Sequence, residues 1–227
     1  MNQETFVLQE KECIVYREEE PEYLLIQPVS EYDLEGLERQ IMRIQSESKK
    51  GFLYLAFQIK NWNEELSPWK TPPVFGKDGF GNGAADTLSY VSESLLPFVR
   101  EKYALSEKLP VILGGYSLAG LFSLWSAYQT SLFDAIAAAS PSVWFPGWKD
   151  YITSFAPNTS AIYLSLGKKE EKTRNRIMAT VGECICVQQE QLKKQGISTI
   201  LEWNEGNHFK EIGFRCAKAF LWCMDVL

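Results

Sequence analysis

The sequence predicts an α/β fold: a mostly parallel central sheet with helices on both faces and antiparallel strands on its N-terminal side. Three observations carry that prediction. From residue 52 onwards, apolar runs of strand length alternate with stretches whose apolar residues recur every third or fourth position. Those strand runs are apolar at successive positions, as strands covered on both faces are. The first 28 residues differ. They hold three short β-rich runs, at 6–8, 13–16 and 23–26, separated by charged turns. Short turns of that kind join antiparallel edge strands.

The elements follow in order. After the third N-terminal run, Leu34, Leu37, Ile41 and Ile44 share one helical face, and Gly51 ends that unit. Residues 52–59, FLYLAFQI, form a buried strand. A helix is predicted over 85–103, with Leu88, Val91, Leu95 and Phe98 inward. Pro97 should kink or split it, because proline removes a backbone donor and clashes with the preceding turn. Residues 111–113 are the next strand, followed by a helical stripe of Leu118, Leu121, Phe122 and Trp125. Strands at 135–139 and 162–166 come next, then a helix with Ile177, Val181, Cys184, Ile185 and Leu192. Residues 199–203 are the last strand. The closing helix carries Ile212, Cys216, Ala219, Phe220 and Cys223. There is no repeat, low-complexity tract or linker, and 227 residues suit one domain. Residues 1–227 are therefore read as a single α/β domain without a separate lid domain.

Composition excludes several functions. Lysine plus arginine number 23 and aspartate plus glutamate 29, a net charge of −6, with no basic block. Nucleic-acid affinity rests on phosphate contacts, so a nucleic-acid partner is not expected. An anionic membrane surface is disfavoured on the same ground, and no apolar run reaches the ~18 residues that would suggest a membrane-spanning helix. The N-terminus, MNQETFVLQE, lacks the basic-then-apolar layout of a signal peptide. The five cysteines, an odd count, read as reduced thiols. Cys184, Cys216 and Cys223 fall on helical apolar stripes, as buried small hydrophobes do. Together these features predict a cytoplasmic protein. One histidine and no CxxC pair make a structural zinc site improbable, and no metal or cofactor is expected.

The strongest local signal is VILGGYSLAG, residues 111–120. A buried strand ends in Gly114 and Gly115, and Tyr116-Ser117-Leu118-Ala119-Gly120 opens a helix. This is the strand–turn–helix setting of a nucleophile elbow, with Ala119 in place of the last glycine of G-x-S-x-G. The serine must sit on a tight turn to project its hydroxyl above the sheet. Larger residues than Gly115 and Ala119 would collide with neighbouring backbone there. The helix that follows aims its first N–H groups at the site, where they favour a developing oxyanion. A serine capping an ordinary helix is the bland alternative, and the flanking strand and helix weigh against it.

Ser117 needs a base, and the chain has one histidine. His208 lies in Asn204-Glu205-Gly206-Asn207-His208-Phe209, a polar loop after the last predicted strand. In α/β hydrolases the chain order is serine, acid, histidine, with the histidine on that loop. The acid is expected after the preceding strand, where Gly167-Lys168-Lys169-Glu170-Glu171 follows residues 162–166. Either glutamate can orient His208 and hold its tautomer. Glu170, the first acid after the strand, is preferred.

The oxyanion hole is expected to use the backbone N–H of Leu118 and one from the loop after residues 52–59, near Lys60 or Asn61. That loop, residues 60–83, is long and rich in Trp, Pro and Gly, and loops of this length are usually functional or disordered. Its GFGNG segment follows polar loop rather than a strand, so a dinucleotide site is rejected. A second aromatic loop, SPSVWFPGW, spans residues 140–148. Both loops fall at C-terminal strand ends, where open α/β sheets bind ligands. Trp62, Trp69, Tyr116 and Trp144 are the candidate substrate-contacting residues, with core packing of the rings as the alternative.

From about Phe52 to the C-terminus the chain resembles the putative esterase family of α/β hydrolases. That group includes esterase D, the antigen 85 mycolyltransferases and the ferric-siderophore esterases. The resemblance rests on GGYSLAG, ASPSVWF, SLGKKEEKTRN and GNHF. It implies Ser117 as nucleophile, Glu170 as acid and His208 as base. The aromatic loop is similar to that of the siderophore-esterase branch. The chain departs from that branch in lacking basic residues around the site, which an anionic ferric catecholate would require. The expectation is a serine hydrolase that cleaves a small carboxylic ester through an acyl-enzyme. An acyltransferase on the same triad and a non-catalytic binding protein of the same fold are its rivals. Oligomeric state is not readable.

Overall fold

A computed structural model describes residues 1–227. The chain opens with β1 (Asn2–Leu8), β2 (Lys11–Arg17) and β3 (Tyr23–Val29), then α1 (Glu31–Glu47) and β4 (Phe52–Gln58). The long loop carries α2 (Trp62–Glu65) and leads to α3 (Ala84–Ser89) and α4 (Leu96–Lys102). There follow β5 (Val111–Tyr116), α5 (Leu118–Gln129), β6 (Ala135–Ala139), α6 (Trp148–Ser154), β7 (Ala161–Gly167), α7 (Val181–Lys194), β8 (Ser198–Asn204) and α8 (Ile212–Val226).

One eight-stranded sheet runs through the molecule in the order β1-β2-β4-β3-β5-β6-β7-β8. β1 and β2 form an antiparallel hairpin, β2 pairs antiparallel with β4, and every pair from β4 to β8 is parallel. The third N-terminal run is therefore not an edge strand. β3 lies inside the sheet between β4 and β5, parallel to both. Its sequence, YLLIQPV, explains why: all seven residues are buried, which an edge position would not allow. Its Gln27 side-chain oxygen accepts from Tyr54 and Gln40, and its Tyr23 hydroxyl accepts from Lys50.

Side-chain alternation divides the core between the two faces of the sheet. Tyr23, Leu25, Phe52, Tyr54 and Ala56 point to one face, which α1 and α8 cover with Leu37, Ile41, Ile44, Cys216, Phe220 and Cys223. Leu24, Ile26, Leu53, Leu55 and Phe57 point to the other, which α3 to α7 cover. Of the three cysteines assigned to apolar stripes, Cys216 and Cys223 are buried, while Cys184 is only half-buried on α7.

The helix predicted over 85–103 runs without a break from 84 to 102, but not as regular α-helix. A π-helical turn, Tyr90–Leu95, joins α3 to α4 just before Pro97 and accommodates its missing N–H. The short helices α2 and α6 lie in the aromatic loops, too brief to give a periodic signal. No helix of the chain is long and apolar enough to cross a membrane.

Candidate active site

Ser117 sits between β5 and α5 with φ 58° and ψ −121°, a conformation that a non-glycine residue adopts only under constraint. The small residues around it impose that turn. A Cβ on Gly115 would lie 2.5 Å from the backbone of Ala119, and one on Gly114 would lie 2.4 Å from Phe220. The turn is tied to its neighbours by Ser117 N–H donating to the Ala139 carbonyl at 3.3 Å. Ser142 N–H donates to the Ser117 carbonyl at 3.0 Å.

Three parallel strand ends bring the predicted side chains together. Ser117 Oγ is 3.0 Å from His208 Nε2, and His208 Nδ1 is 2.7 Å from Glu170 Oε2. A carboxylate can only accept, so Nδ1 carries the proton and Nε2 is left to accept from Ser117. Glu171 is exposed and takes no part. The Glu170 side chain is only 4% exposed. Burial alone would raise its carboxyl pKa. The hydrogen bond and charge of His208, the Gly167 N–H and the Ser140 hydroxyl outweigh burial and hold it below the usual carboxylate range.

Glu170 Oε1 is saturated. It accepts from Gly167 N–H at 2.6 Å, Ser140 Oγ at 2.8 Å and Arg215 Nη1 at 2.8 Å. Gly167 must be glycine, since a Cβ there would meet the Gly206 carbonyl, Arg215 and Glu170 within 3 Å. Ser142 Oγ lies 3.3 Å from Ser117 Oγ, and Ser140 has φ 43°. The two serines of Ser140-Pro141-Ser142 thus touch opposite ends of the Ser–His–Glu array. Ser140, Ser142 and Arg215 were not among the predicted site residues.

Ser117 and His208 open into a cavity of about 380 Å³. Its apolar walls are Trp62, Phe75, Phe80, Trp144, Met178, Val181 and Phe209, and its titratable lining residues are Glu170 and His208. No lysine or arginine lines it. Phe75, Phe80 and Trp144 pack edge-to-face on one another. Trp62 and Trp144 thus occupy the predicted place.

Three other expectations are corrected. Trp69 does not reach the cavity. It packs among Phe145, Trp148 and Tyr151 and donates Nε1–H to the Pro146 carbonyl at 2.8 Å, fastening one aromatic loop to the other. Tyr116 is buried behind His208, to whose carbonyl its hydroxyl donates at 2.6 Å. Burial and the nearby charge of Glu170 push that phenol's pKa up. Lys60 is exposed and outside the cavity. Its N–H and that of Asn61 donate to the Glu65 carboxylate, at 3.1 and 2.8 Å. Those two amides are consumed in holding the start of α2. Leu118, at the first position of α5, does line the cavity, and from the loop after β4 so do Trp62 and Asn63.

The family described as Putative esterase matches residues 58–209, from the end of β4 to the His208 loop. Among curated proteins, the uncharacterized protein YbbA of Bacillus subtilis (strain 168) is 25% identical over 129 residues, 54% of this chain and 51% of that protein. The match therefore spans about half the length of that relative. Among solved structures, an IroE-like serine hydrolase from Shewanella oneidensis has a TM-score of 0.78 at 14% identity, covering 97% of this chain and 79% of that one. Siderophore hydrolase EstA from Aspergillus nidulans has a TM-score of 0.74 at 19% identity, over 99% and 94% of the two chains. The enterobactin esterase FES from Shigella flexneri has a TM-score of 0.69 at 15% identity, over 99% of this chain and 59% of that one. At these identities the likeness is one of fold, and the fold is that of the α/β hydrolases.

Proposed function

The chain belongs to the Putative esterase family, and from that premise we propose that it is a serine hydrolase of carboxylic esters, working through Ser117, His208 and Glu170. The observation that carries the reading is the continuous Ser117–His208–Glu170 hydrogen-bond array at the wall of an aromatic cavity with no lysine or arginine in its lining. His208 Nε2 takes the Ser117 proton as Oγ attacks the ester carbonyl. Glu170 holds the Nδ1–H tautomer and stabilises the imidazolium that forms. The tetrahedral oxyanion is received by the Leu118 N–H and by a second backbone N–H from Trp62 or Asn63, replacing Lys60 in that role. His208 then protonates the leaving alcohol, and water repeats the sequence on the acyl-enzyme.

The cavity also constrains the substrate. Its rings and aliphatic side chains suit an apolar, uncharged acyl or alcohol group. A multiply anionic ferric chelate would find no cation in the lining to offset its desolvation. On that ground the siderophore hydrolases and the enterobactin esterase that share the fold would not share their substrate with this chain.

The test is a serine-directed fluorophosphonate probe together with a panel of neutral esters of varied acyl length. The wild type should label and turn over the apolar esters. Ser117→Ala should lose labelling and on the order of 10³-fold or more in rate, with unchanged thermal melting. Near-normal turnover by purified Ser117→Ala would refute the assignment.

A further inference from the structure

Arg215 lies on α8, and its side chain is wholly buried. Its guanidinium reaches the segments that carry Ser117, Glu170 and His208. Nη1 donates to Glu170 Oε1 at 2.8 Å, Tyr116 Oη at 3.0 Å and Ser140 Oγ at 3.1 Å. Nη2 donates to the carbonyls of Glu205 and Asn207, both at 3.0 Å, just before His208. One cation therefore ties the residue before the nucleophile, the loop after β6, the acid and the histidine's own loop. Its ion pair is with Glu170. It does not line the cavity.

We propose that Arg215 is a positioning residue that keeps Glu170 ionised and aimed at His208, acting through the acid rather than on the substrate. The inference rests on the triad reading given above. Arg215, Ser140 and Gly167 fill Oε1, which leaves Oε2 free for the histidine. The guanidinium is also the counter-charge that lets a carboxylate persist at this depth.

Removing that charge has a predictable sign. The buried Glu170 and the half-buried His208 paired with it lose a neighbouring cation, so a proton should be held there at higher pH. On His208 the proton removes the base, and on Glu170 it removes the acceptor that fixes the tautomer. The other groups facing the pair do not mask this. Burial pushes up the Tyr116 phenol on β5 and the Cys216 thiol on α8, so both stay neutral. The Lys168–Glu205 ion pair, Lys169, Glu171 and Lys210 stand at the exposed rim.

The experiment measures kcat/KM on a neutral ester from about pH 5 to about pH 9. The proteins are wild type, Arg215→Gln, Arg215→Lys, Glu170→Gln and the Glu170→Gln/Arg215→Gln double variant, each normalised to folded protein. Arg215→Gln should move the acid limb upward by about one pH unit, the effect expected of one close charge. Arg215→Lys, which keeps the charge, should return the limb towards its wild-type position. In the Glu170→Gln background, Arg215→Gln should change the residual rate by less than about threefold, because two residues acting as a unit are not additive. A wild-type limb in folded Arg215→Gln overturns the proposal, as does a further loss of about tenfold once Glu170 is already glutamine. If Arg215→Gln alone does not fold, the Glu170→Gln pair decides by the same criterion. Failure to fold there as well would assign Arg215 to the loop carbonyls and overturn the proposal. Ser117→Ala separates the two layers. A rate that survives it sinks the triad itself, whereas loss of the rate in Ser117→Ala together with an unshifted acid limb in the Arg215→Gln single variant sinks only the role of Arg215.

Discussion

Replacing Glu170 by glutamine changes one oxygen to an NH₂ group, and the surroundings dictate which one. At Oε1 the partners are the Gly167 N–H, the Ser140 hydroxyl and the Arg215 guanidinium. The backbone amide and the guanidinium can only donate, so the amide must present its carbonyl there. Its NH₂ then faces His208 Nδ1, across the 2.7 Å that a carboxylate oxygen spans in the wild type. The imidazole can answer only by making Nδ1 the acceptor and moving its proton to Nε2. Nε2–H then points at Ser117 Oγ, 3.0 Å away, and cannot take the serine proton. Loss of the reactive tautomer costs a serine triad on the order of 10⁴ in kcat, or about 5 kcal/mol. The assay is saturation kinetics on a neutral p-nitrophenyl ester, with circular dichroism to show that the fold persists. Glu171→Gln, at an exposed position, is the control and should change kcat less than about twofold. A Glu170→Gln enzyme within about tenfold of wild type would refute the reasoning, as would Glu171→Gln being the damaging change.

Gly115→Ala places a Cβ 2.5 Å from the Ala119 backbone, so it should cost about 1–3 kcal/mol of stability and slow fluorophosphonate labelling. A stable variant that labels at the wild-type rate would contradict the elbow argument. Trp144→Ala removes one ring of the cavity wall. It should lower kcat/KM for long or aromatic acyl esters by about tenfold while acetyl esters change little, and an equal loss on both would show that the ring is only structural. Glu170 is a carboxyl whose folded-state pKa is depressed. The stability it contributes is present above its unfolded value of ~4.3 and is lost as pH falls through the folded one. Wild-type melting temperature should therefore drop more steeply below about pH 4 than that of Glu170→Gln, and parallel curves would exclude the linkage.

Much of this was legible in the sequence because it is local. The parallel strands announce themselves as unbroken apolar runs, and GGYSLAG encodes its turn through the absence of side chains at Gly114 and Gly115. The Ser–Glu–His order follows from strand connectivity, since parallel strands put all their C-terminal ends on one side. What could not be read depends on long-range contacts. Whether Trp62 or Trp69 faces the cavity is decided by the partners each ring meets, and Trp69 meets Phe145, Trp148 and Tyr151 across about 80 residues of chain. The Lys60 N–H is not free to face the cavity because Glu65, five residues on, claims it. A clue to Arg215 was present: a charge in IGFRCAKAF, one turn after Ile212 and one before Ala219 on the buried side of α8. An arginine in that stripe must be paired, but the pairing with Glu170 emerges only in three dimensions.

The site divides into two parts that answer to different constraints. Ser117, Glu170 and His208 stand within a few residues of the ends of β5, β7 and β8, where sheet registers fix their backbones. Arg215 then locks those ends to one another through five hydrogen bonds. The cavity walls come largely from the 60–83 and 140–148 loops, held by ring-on-ring packing and the Trp69–Pro146 hydrogen bond. Packing between apolar rings tolerates substitution of one ring for another of similar volume, whereas a buried, hydrogen-bonded polar cluster tolerates almost none. On the proposed reading, substitutions at Phe75, Phe80 or Trp144 should change substrate preference without disturbing the Ser117–His208–Glu170 array. The reverse does not hold: a change at Glu170 or Arg215 leaves a buried charge uncompensated and reaches both the chemistry and the fold.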